Sequence, residues 1–187
     1  MTTKEYVKNL IKDPNIASIT PTSKVGVQKV CGKMDLTKKV IIIEYGPATG
    51  VFTDYLLEHI TADSMIIAIE QNENFVDYLT KNTRDERLKV HHDSAENVHN
   101  IVKRYGLGKV DYVISGIPFS LLDEEVREDI VKRTSHVLKP GGKFLPYQTF
   151  FQKDEHLMVY LQDYFSEAHD KYLLRNLPPM RLYEAIK

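Results

Sequence analysis

Residues 40–50 read Val-Ile-Ile-Ile-Glu-Tyr-Gly-Pro-Ala-Thr-Gly, and this stretch decides the fold class. Its first four residues are β-branched and form a continuous apolar run, which predicts a strand buried on both faces. Gly46 and Gly50 bracket a tight loop after Glu44, and the apolar-periodic stretch 52–60 predicts a helix. Strand, glycine-containing loop and helix in this order are the opening unit of a nucleotide-binding α/β domain.

The chemistry of the loop narrows the nucleotide that it could bind. A dinucleotide site has the spacing G-x-G-x-x-G and directs a helix N-terminus at a pyrophosphate, whereas the spacing here is G-x-x-x-G. No Gly-Lys-Ser/Thr follows the loop, which excludes a Walker loop. Glu44 would repel a pyrophosphate but attract a cation. S-adenosylmethionine fits these demands because it has an ammonium group and a sulfonium but no phosphate.

Two further acidic residues close apolar runs along the chain. Glu70 ends the run 65–69, and Asp93 ends the predicted strand 88–92. The Glu70 carboxylate could accept two hydrogen bonds from ribose hydroxyls, and Asp93 could accept one from the adenine amino group. The predicted cofactor-binding residues are Glu44, Gly46, Pro47, Ala48, Thr49, Gly50, Glu70, Gln71, Asp93, Ser94, Ala95 and Ser115.

Composition and charge limit the remaining function classes. The chain has 187 residues with a formal net charge of −1, which suits one α/β domain and argues against an extensive nucleic-acid footprint. No apolar stretch reaches the length of about 18 residues that a membrane span needs, and no signal peptide is evident. The single cysteine, Cys31, fits a reducing compartment, so we expect a cytoplasmic protein. No metal is expected, because the adjacent His91 and His92 would point to opposite faces of a strand.

The alternation of patterns predicts a doubly wound, mainly parallel α/β sheet with helices on both faces. Pro178-Pro179 makes the last connection too short for a crossover, which predicts an antiparallel hairpin, and Pro140-Gly141-Gly142 predicts a turn. We expect one domain over 1–187, with a helical extension at 1–36 and a Rossmann-like core at 37–187. Helices are predicted at 3–11, 23–33, 51–60, 73–82, 94–104, 122–137 and 154–164, and strands at 39–44, 65–69, 88–92, 110–115, 142–150, 168–175 and 180–186.

The loop 44–50 resembles motif I of class I methyltransferases, commonly E/D-x-G-x-G-x-G, with Ala48 at the position of the middle glycine. A methyl group there limits how closely the backbone can approach a ligand. The resemblance implies S-adenosylmethionine as cofactor. It also implies a seven-stranded sheet in the order 3-2-1-4-5-7-6, with strand 7 antiparallel.

The end of the fourth predicted strand carries the information on the methyl acceptor. In ribosomal RNA adenine dimethyltransferases the corresponding motif is Asn-Leu/Ile-Pro-Tyr/Phe, but here Gly116 replaces the Asn that would receive a planar exocyclic amine. Residues 115–118, which read Ser-Gly-Ile-Pro, resemble instead the Ser-Gly-Leu-Pro motif of bacterial single-domain phospholipid N-methyltransferases. The predicted acceptor-amine loop, to which we assign the catalytic residues, consists of Ser115, Gly116, Ile117, Pro118 and Phe119.

Two terminal segments extend this second resemblance over most of the chain. Residues 10–23 are similar to the helix and Gly/Ala-Ser-x-x-Pro-Ser/Thr-Ser turn with which that family begins. Residues 174–183 are similar to its Arg-Asn-Ile/Leu-Pro-Pro-Ala-x-Leu/Val ending. The resemblance implies an S-adenosylmethionine-dependent N-methyltransferase that acts on a phospholipid head-group amine of the phosphatidylethanolamine type.

The N-terminal region is basic, although the whole chain is nearly neutral. The first 39 residues contain eight lysines and three acidic residues, a net charge of +5, so the rest of the chain carries −6. Within the predicted helix 3–11, apolar side chains share one face and lysines surround the other. Such a helix can lie on an anionic membrane surface or pack on its own domain. The family resemblance favours peripheral membrane contact.

Three alternatives remain open at the level of sequence. The chain could be an RNA adenine N6-dimethyltransferase relative, a methyltransferase of a small-molecule or protein amine, or a non-catalytic protein that keeps the fold. An alkylammonium with a pKa of about 10 must lose a proton before it attacks a methyl group. The proton acceptor is not identified, and Tyr147 and Tyr6 are candidates only because tyrosines can lie near amines.

Overall fold

Seven strands alternate with helices along the chain and form one sheet. The computed structural model describes residues 22–149, 157–174 and 179–187. The predicted helix 3–11, Tyr6 and the turn residue Pro178 lie outside them. The strands are β1 (Ile41–Tyr45), β2 (Met65–Glu70), β3 (Leu88–His92), β4 (Val110–Ser115), β5 (Leu138–Thr149), β6 (Glu167–Leu173) and β7 (Met180–Ile186), and the helices are α1 (Lys24–Cys31), α2 (Val51–His59), α3 (Glu73–Asn82), α4 (Val98–Arg104), α5 (Glu124–Val137) and α6 (Leu157–Tyr164).

The strand order is β3-β2-β1-β4-β5-β7-β6, which confirms the predicted topology. The parallel pairs are β1 with β2, β1 with β4, β2 with β3 and β4 with β5. Strand β7 pairs antiparallel with both β5 and β6. The central strands β1, β2 and β4 are buried almost throughout. Their continuous apolar runs follow from this position, because helices cover a parallel sheet on both faces.

The hydrophobic core has two layers, one on each face of the sheet. Alternate residues of β1 point to opposite faces, so Ile43 and Tyr45 pack toward α4, α5 and α6. On the other face, Ile42 packs in the same cluster as residues of α1 and α2. Although α1 belongs to the predicted N-terminal extension, its buried side chains, Val27 and Val30, are part of this second layer.

Strand β5 differs from the prediction. It begins at Leu138, which pairs with Val110, and its register then shifts so that Lys143 pairs with Tyr112. The predicted Pro-Gly-Gly turn is therefore an excursion within the strand. Gly142 is required there, because a Cβ would lie 2.9 Å from the Lys139 carbonyl oxygen and 3.0 Å from that of Asp111.

Asp111 fixes the amino end of β1. Its Oδ2 accepts a hydrogen bond of 2.7 Å from the backbone N–H of Ile41, and its Oδ1 pairs with the ammonium of Lys139. The side chain of Asp111 is largely buried. It therefore joins β4, β1 and the excursion of β5 through one carboxylate.

Replacement of this carboxylate should destabilise the fold. We expect Asp111→Ala to lower the free energy of unfolding by about 1–3 kcal/mol, because the partly buried Ile41 amide loses a charged acceptor. Urea denaturation measures the change. The matched control is Asp77→Ala, which removes an exposed ion pair of 3.3 Å with Lys81 and should cost about 0.5 kcal/mol or less. Equal losses in the two variants would contradict the role assigned to Asp111.

Candidate active site

The predicted site residues come together at the carboxyl edge of the sheet. Glu44 lies in β1, Glu70 ends β2, Asp93 follows β3 and Ser115 ends β4. The register places Tyr45, the last residue of β1, beside Ile69 of β2 and beside Ser115 of β4. Ligands of open α/β sheets bind in the crevice at this edge, so the topology collects acidic groups from separate segments in one place.

The loop between β1 and α2 is tightly folded. The N–H of Gly46 donates to the Ile69 carbonyl at 2.9 Å, and the N–H of Gly50 donates to the Pro47 carbonyl at 2.9 Å. Gly46 and Gly50 have φ values of 64° and 81°, in the left-handed region. A Cβ at Gly50 would also lie 2.6 Å from Cδ2 of Leu79, so both conformation and space require glycine there.

Ala48 is in the left-handed region as well, with φ of 50°. Among the described residues it is the one non-glycine with a positive φ. Its N–H donates to Oε2 of Glu70 at 3.1 Å, and this bond from the end of β2 supports the strained conformation. The alanine at the position of the middle glycine of motif I therefore adopts a backbone conformation that is typical of glycine.

Glu44 is a buried carboxyl group with one partner in the described structure. It is 1% exposed, and its Oε2 accepts a hydrogen bond of 2.6 Å from Oγ1 of Thr53 on α2. Its Oε1 is buried and has no hydrogen-bond partner among the described residues. Burial raises the pKa of Glu44 to about 8, and the bond from Thr53 opposes this rise. A buried acceptor atom of this kind is costly unless a donor reaches it.

Glu70 anchors two backbone segments. In addition to the Ala48 amide, it receives the N–H of Asn72 on Oε1 at 2.9 Å, just before α3 begins. These two bonds connect the end of β2 to the loop after β1 and to the residue before α3. The neighbouring Gln71 is exposed, and its carbonyl oxygen lies 2.9 Å from Nε2 of His92.

The end of β3 is shaped by local hydrogen bonds. Oδ1 of Asp93 accepts from Nδ2 of Asn97 at 2.7 Å and from the N–H of Ser94 at 2.8 Å. These bonds, of which the one from Asn97 has the larger effect, lower the pKa of Asp93 and keep its carboxyl group ionised. Oγ of Ser94 accepts from the N–H of Glu96 and so caps the short 3₁₀ helix Ala95–Asn97, in which Ala95 is buried. This helix separates Asp93 from α4, which therefore begins later than predicted.

The predicted acceptor loop lies directly against the loop after β1. Gly116 donates its N–H to the Tyr45 carbonyl at 2.9 Å, and the buried Ser115 accepts the N–H of Ile117 on Oγ at 3.3 Å. Cγ1 of Ile117 lies 3.7 Å from the position of a Cβ built at Gly46. The two loops thus form adjoining walls at the carboxyl edge.

Phe119, which the sequence assigns to the predicted acceptor loop, has its side chain in the core. The residue is fully buried, its ring packs edge-to-face on Phe144 at a centroid distance of 6.3 Å, and its carbonyl accepts from Nε of Arg127. Pro118 is buried as well. These two residues therefore form the core-facing part of the predicted acceptor loop.

Two side chains contribute more than sequence reasoning suggested. Thr53 is fully buried and donates a hydrogen bond to Glu44. The sequence feature that could have indicated this role is a hydroxyl residue on the buried face of an amphipathic helix. Tyr147 of β5 stacks on Phe52 of α2, with ring centroids 4.4 Å apart and planes 23° apart. Its Oη lies 2.6 Å from the position of a Cβ built at Gly116. From sequence, Tyr147 was only a candidate proton acceptor.

Comparison with known proteins identifies the family. Residues 42–142 match a family model described as a methyltransferase domain. The chain belongs to this family. It is an S-adenosylmethionine-dependent methyltransferase of class I, as the loop after β1 predicts. The methyltransferase is also similar to ornithine lipid N-methyltransferase from Singulisphaera acidiphila, with 26% identity over 172 residues, which are 90% of this chain and 86% of the relative.

Solved structures share the fold of this methyltransferase. Precorrin-6y C5,15-methyltransferase from Geobacter metallireducens matches with a TM-score of 0.71 and 13% identity, over 94% of this chain and 96% of that chain. The N-methyltransferase NodS from Bradyrhizobium japonicum matches with a TM-score of 0.69 and 12% identity, over 87% and 93% of the two chains. These likenesses confirm the architecture of the sheet.

The residues at the carboxyl edge fit S-adenosylmethionine. The buried Oε1 of Glu44 offers an acceptor to a cationic group, and Glu70 places a carboxylate at the end of β2, the strand next to β1. In the described ranges, no group of three or more His, Cys, Asp or Glu side chains could hold a metal ion. In the same ranges, no helix is both long and apolar enough to cross a membrane.

The buried carboxyl group predicts a pH dependence of stability. The pKa of Glu44 is about 8 in the folded protein, against an ordinary value of 4.5, so the folded chain retains a proton that the unfolded chain releases. We therefore expect the free energy of unfolding of the ligand-free protein to fall as the pH rises from about 4.5 to about 8. Glu44→Gln should remove the contribution of this group, which is on the order of a few kcal/mol over the whole range, and so flatten the slope.

Urea denaturation at a series of pH values tests this expectation. The matched control is Asp85→Asn, because a hydrogen bond from Arg87 lowers the pKa of Asp85 and places its titration below this range of pH. The control should keep the wild-type slope. An unchanged slope in Glu44→Gln would show that other groups cause the pH dependence.

The conformation of Ala48 predicts an unusual response to glycine. We expect Ala48→Gly to raise the free energy of unfolding by up to about 1 kcal/mol, because relief of the left-handed strain exceeds the entropy that glycine adds to the unfolded chain. The matched control is Ala62→Gly, at an exposed position without positive φ, which should lose about 0.4–1 kcal/mol. Chemical denaturation measures both, and losses of the same sign and size would refute the strain at Ala48.

Proposed function

We propose that this methyltransferase transfers methyl groups to the head-group amine of a membrane lipid. The observation that carries the proposal is the 26% identity, over 90% of the chain, to an ornithine lipid N-methyltransferase. The Ser-Gly-Ile-Pro segment of the acceptor loop and the terminal segments 10–23 and 174–183 support it as well. The head groups to test are phosphatidylethanolamine, which the phospholipid family suggests, and ornithine lipid, which the relative suggests.

We assign the cofactor-binding roles from the contacts at the carboxyl edge. Glu44 and the backbone of 46–50, which includes Pro47, Ala48 and Thr49, hold the methionine end. Glu70, with Gln71 beside it, receives the ribose hydroxyls, and Asp93, Ser94 and Ala95 frame the adenine. When bound, S-adenosylmethionine supplies a methyl group that is already activated by a positively charged sulfur. The chain therefore has to align the acceptor and exclude water.

The acceptor loop favours an aliphatic amine over a nucleobase. Gly116 has no side-chain amide that could pair with a planar exocyclic amine, and a side chain at this position would meet Tyr147. The loop lies against Gly46 and Tyr45, next to the residues that we assign to the cofactor. A head-group amine that enters here would approach the cofactor from the β4 side of the crevice.

We further propose that the enzyme contacts the membrane peripherally, at the cytoplasmic face. The support is electrostatic: the first 39 residues carry a net charge of +5, and anionic lipid attracts lysines near the membrane surface. The predicted amphipathic helix 3–11 would lie with its apolar face in the interface. A bilayer-bound acceptor and a surface-bound enzyme would then meet without extraction of the lipid.

Methyl transfer from radiolabelled S-adenosylmethionine to vesicles tests the proposal. Separate vesicles contain phosphatidylethanolamine, ornithine lipid or phosphatidylcholine, each with and without anionic phosphatidylglycerol, and RNA is assayed in parallel. We expect label in one of the first two lipids, more with phosphatidylglycerol, and none in phosphatidylcholine, whose nitrogen is already quaternary. Glu70→Ala should reduce the rate at least about tenfold, because the carboxylate also holds the Ala48 loop.

The matched control for this variant is Glu73→Ala, an exposed residue in the first turn of α3 that should keep the wild-type rate. Label in RNA without label in lipid would overturn the proposed function. Label in both lipid types without any effect of phosphatidylglycerol would overturn the proposed electrostatic membrane contact and leave the acceptor assignment in place.

A further inference from the structure

The side of Gly116 that faces β5 is already filled. A Cβ built at this residue would lie 2.6 Å from Oη of Tyr147, 3.1 Å from its Cζ, and 3.2 Å from the carbonyl oxygen of Gly46. A distance of 2.6 Å is much shorter than a van der Waals contact. The Tyr147 hydroxyl and a side chain at position 116 therefore exclude each other.

The ring of Tyr147 is held firmly in this position. It stacks on Phe52, the second residue of α2, and its backbone lies in β5 opposite Leu182 of β7. Phe52 is itself buried in the core layer formed with α1 and α2. The hydroxyl therefore reaches Gly116 from a rigid strand and not from a loop, which gives it a defined position at the crevice.

The Tyr147 hydroxyl occupies the space that a side chain at position 116 of the acceptor loop would need. An amide at position 116 would present a planar pair of donor and acceptor atoms, whereas a phenol oxygen presents one donor and two lone pairs. A single oxygen can receive an N–H from an amine of tetrahedral geometry in many orientations. A site with the Tyr147 hydroxyl in place of an amide at position 116 therefore suits an acceptor amine of different shape and chemistry.

We propose that Tyr147 positions the acceptor amine and sets the acceptor class. The proposal rests on the proposed function and adds the residue that selects the substrate. The neutral amine, after loss of its proton to solvent, donates one N–H to Oη, which directs its lone pair at the methyl carbon. The nitrogen–carbon bond forms as the carbon–sulfur bond breaks, and the sulfur keeps that electron pair. The methylated ammonium product then loses a proton to solvent.

Tyr147→Phe tests this role because it keeps the stacked ring and removes the hydroxyl. We expect kcat/KM for the lipid amine to fall about 10-fold to 100-fold, the loss of one hydrogen bond to a reacting group. The dissociation constant of S-adenosylmethionine and the midpoint of thermal unfolding should stay at wild-type values. The matched control is Tyr105→Phe, which removes a hydroxyl 2.8 Å from Nε2 of His91, between the end of α4 and β3. It should leave kcat/KM unchanged.

A double-mutant cycle with Gly116→Ala makes the test sharper. In the wild-type background the new methyl group meets Oη, so we expect a loss in rate of more than about tenfold. In the Tyr147→Phe background the 2.6 Å contact is removed, while contacts of 3.1 Å to Cζ and 3.2 Å to the Gly46 carbonyl oxygen remain, so the same substitution should cost clearly less than in the wild-type background. Additive losses would overturn the proposed exclusion between the two residues.

The outcomes separate this inference from the proposed function. If the wild-type enzyme labels lipid and Tyr147→Phe labels it equally fast, the positioning role is wrong and the lipid function stands. If Tyr147→Phe loses cofactor affinity in proportion to its rate, Tyr147 is a structural residue and the inference is overturned. If the wild-type enzyme binds S-adenosylmethionine but labels no lipid amine, the proposed function fails and the inference fails with it.

Discussion

A carboxyl group buried in the middle of a parallel sheet is the constraint on which the site depends. Glu44 lies between Ala68 of β2 and Ile114 of β4, where an apolar residue would pack at lower cost. Within the described part of the chain, the group that donates a hydrogen bond to it is the hydroxyl of Thr53, so α2 presents a polar group to an otherwise apolar layer. The second oxygen keeps its acceptor capacity for a ligand. The buried carboxyl group thus lowers stability at the place to which we assign the cationic end of the cofactor.

The surrounding loops are held by backbone bonds that extend the sheet beyond its strands. Gly46 donates to Ile69 of β2, and Gly116 donates to Tyr45 of β1. The Glu70 carboxylate then holds Ala48 in a conformation that alanine rarely adopts. The hydrogen bonds at this edge of the sheet therefore fix the loops that follow β1 and β4 as well as the alignment of the strands.

Much of this architecture could be predicted because it depends on local patterns. The β-branched run before Glu44 and the run 65–69 mark buried parallel strands, and the short final connection fixes the antiparallel β7. The acidic strand ends could be assigned in order, because parallel strands bring them to one edge. The family comparison confirms the methyltransferase fold and its cofactor, and the roles of the single site residues stay proposals.

What could not be predicted depends on contacts between distant segments. The Pro-Gly-Gly sequence is typical of a turn, and only pairing of Leu138 with Val110 shows that it interrupts a strand. Phe119 belongs to the predicted acceptor loop in the sequence, and only its contact with Phe144 shows that its ring lies in the core. The contact between Tyr147 and Gly116 joins β5 to the end of β4, and no local pattern in either segment indicates it.

That contact also has an evolutionary consequence. To convert this acceptor loop to one with an amide at position 116, a lineage would have to replace both Gly116 and Tyr147. Either single replacement gives a protein with a steric conflict or with an unfilled space beside the predicted acceptor loop. We therefore expect these two residues, which are about 30 positions apart in the chain, to change together when the acceptor class changes.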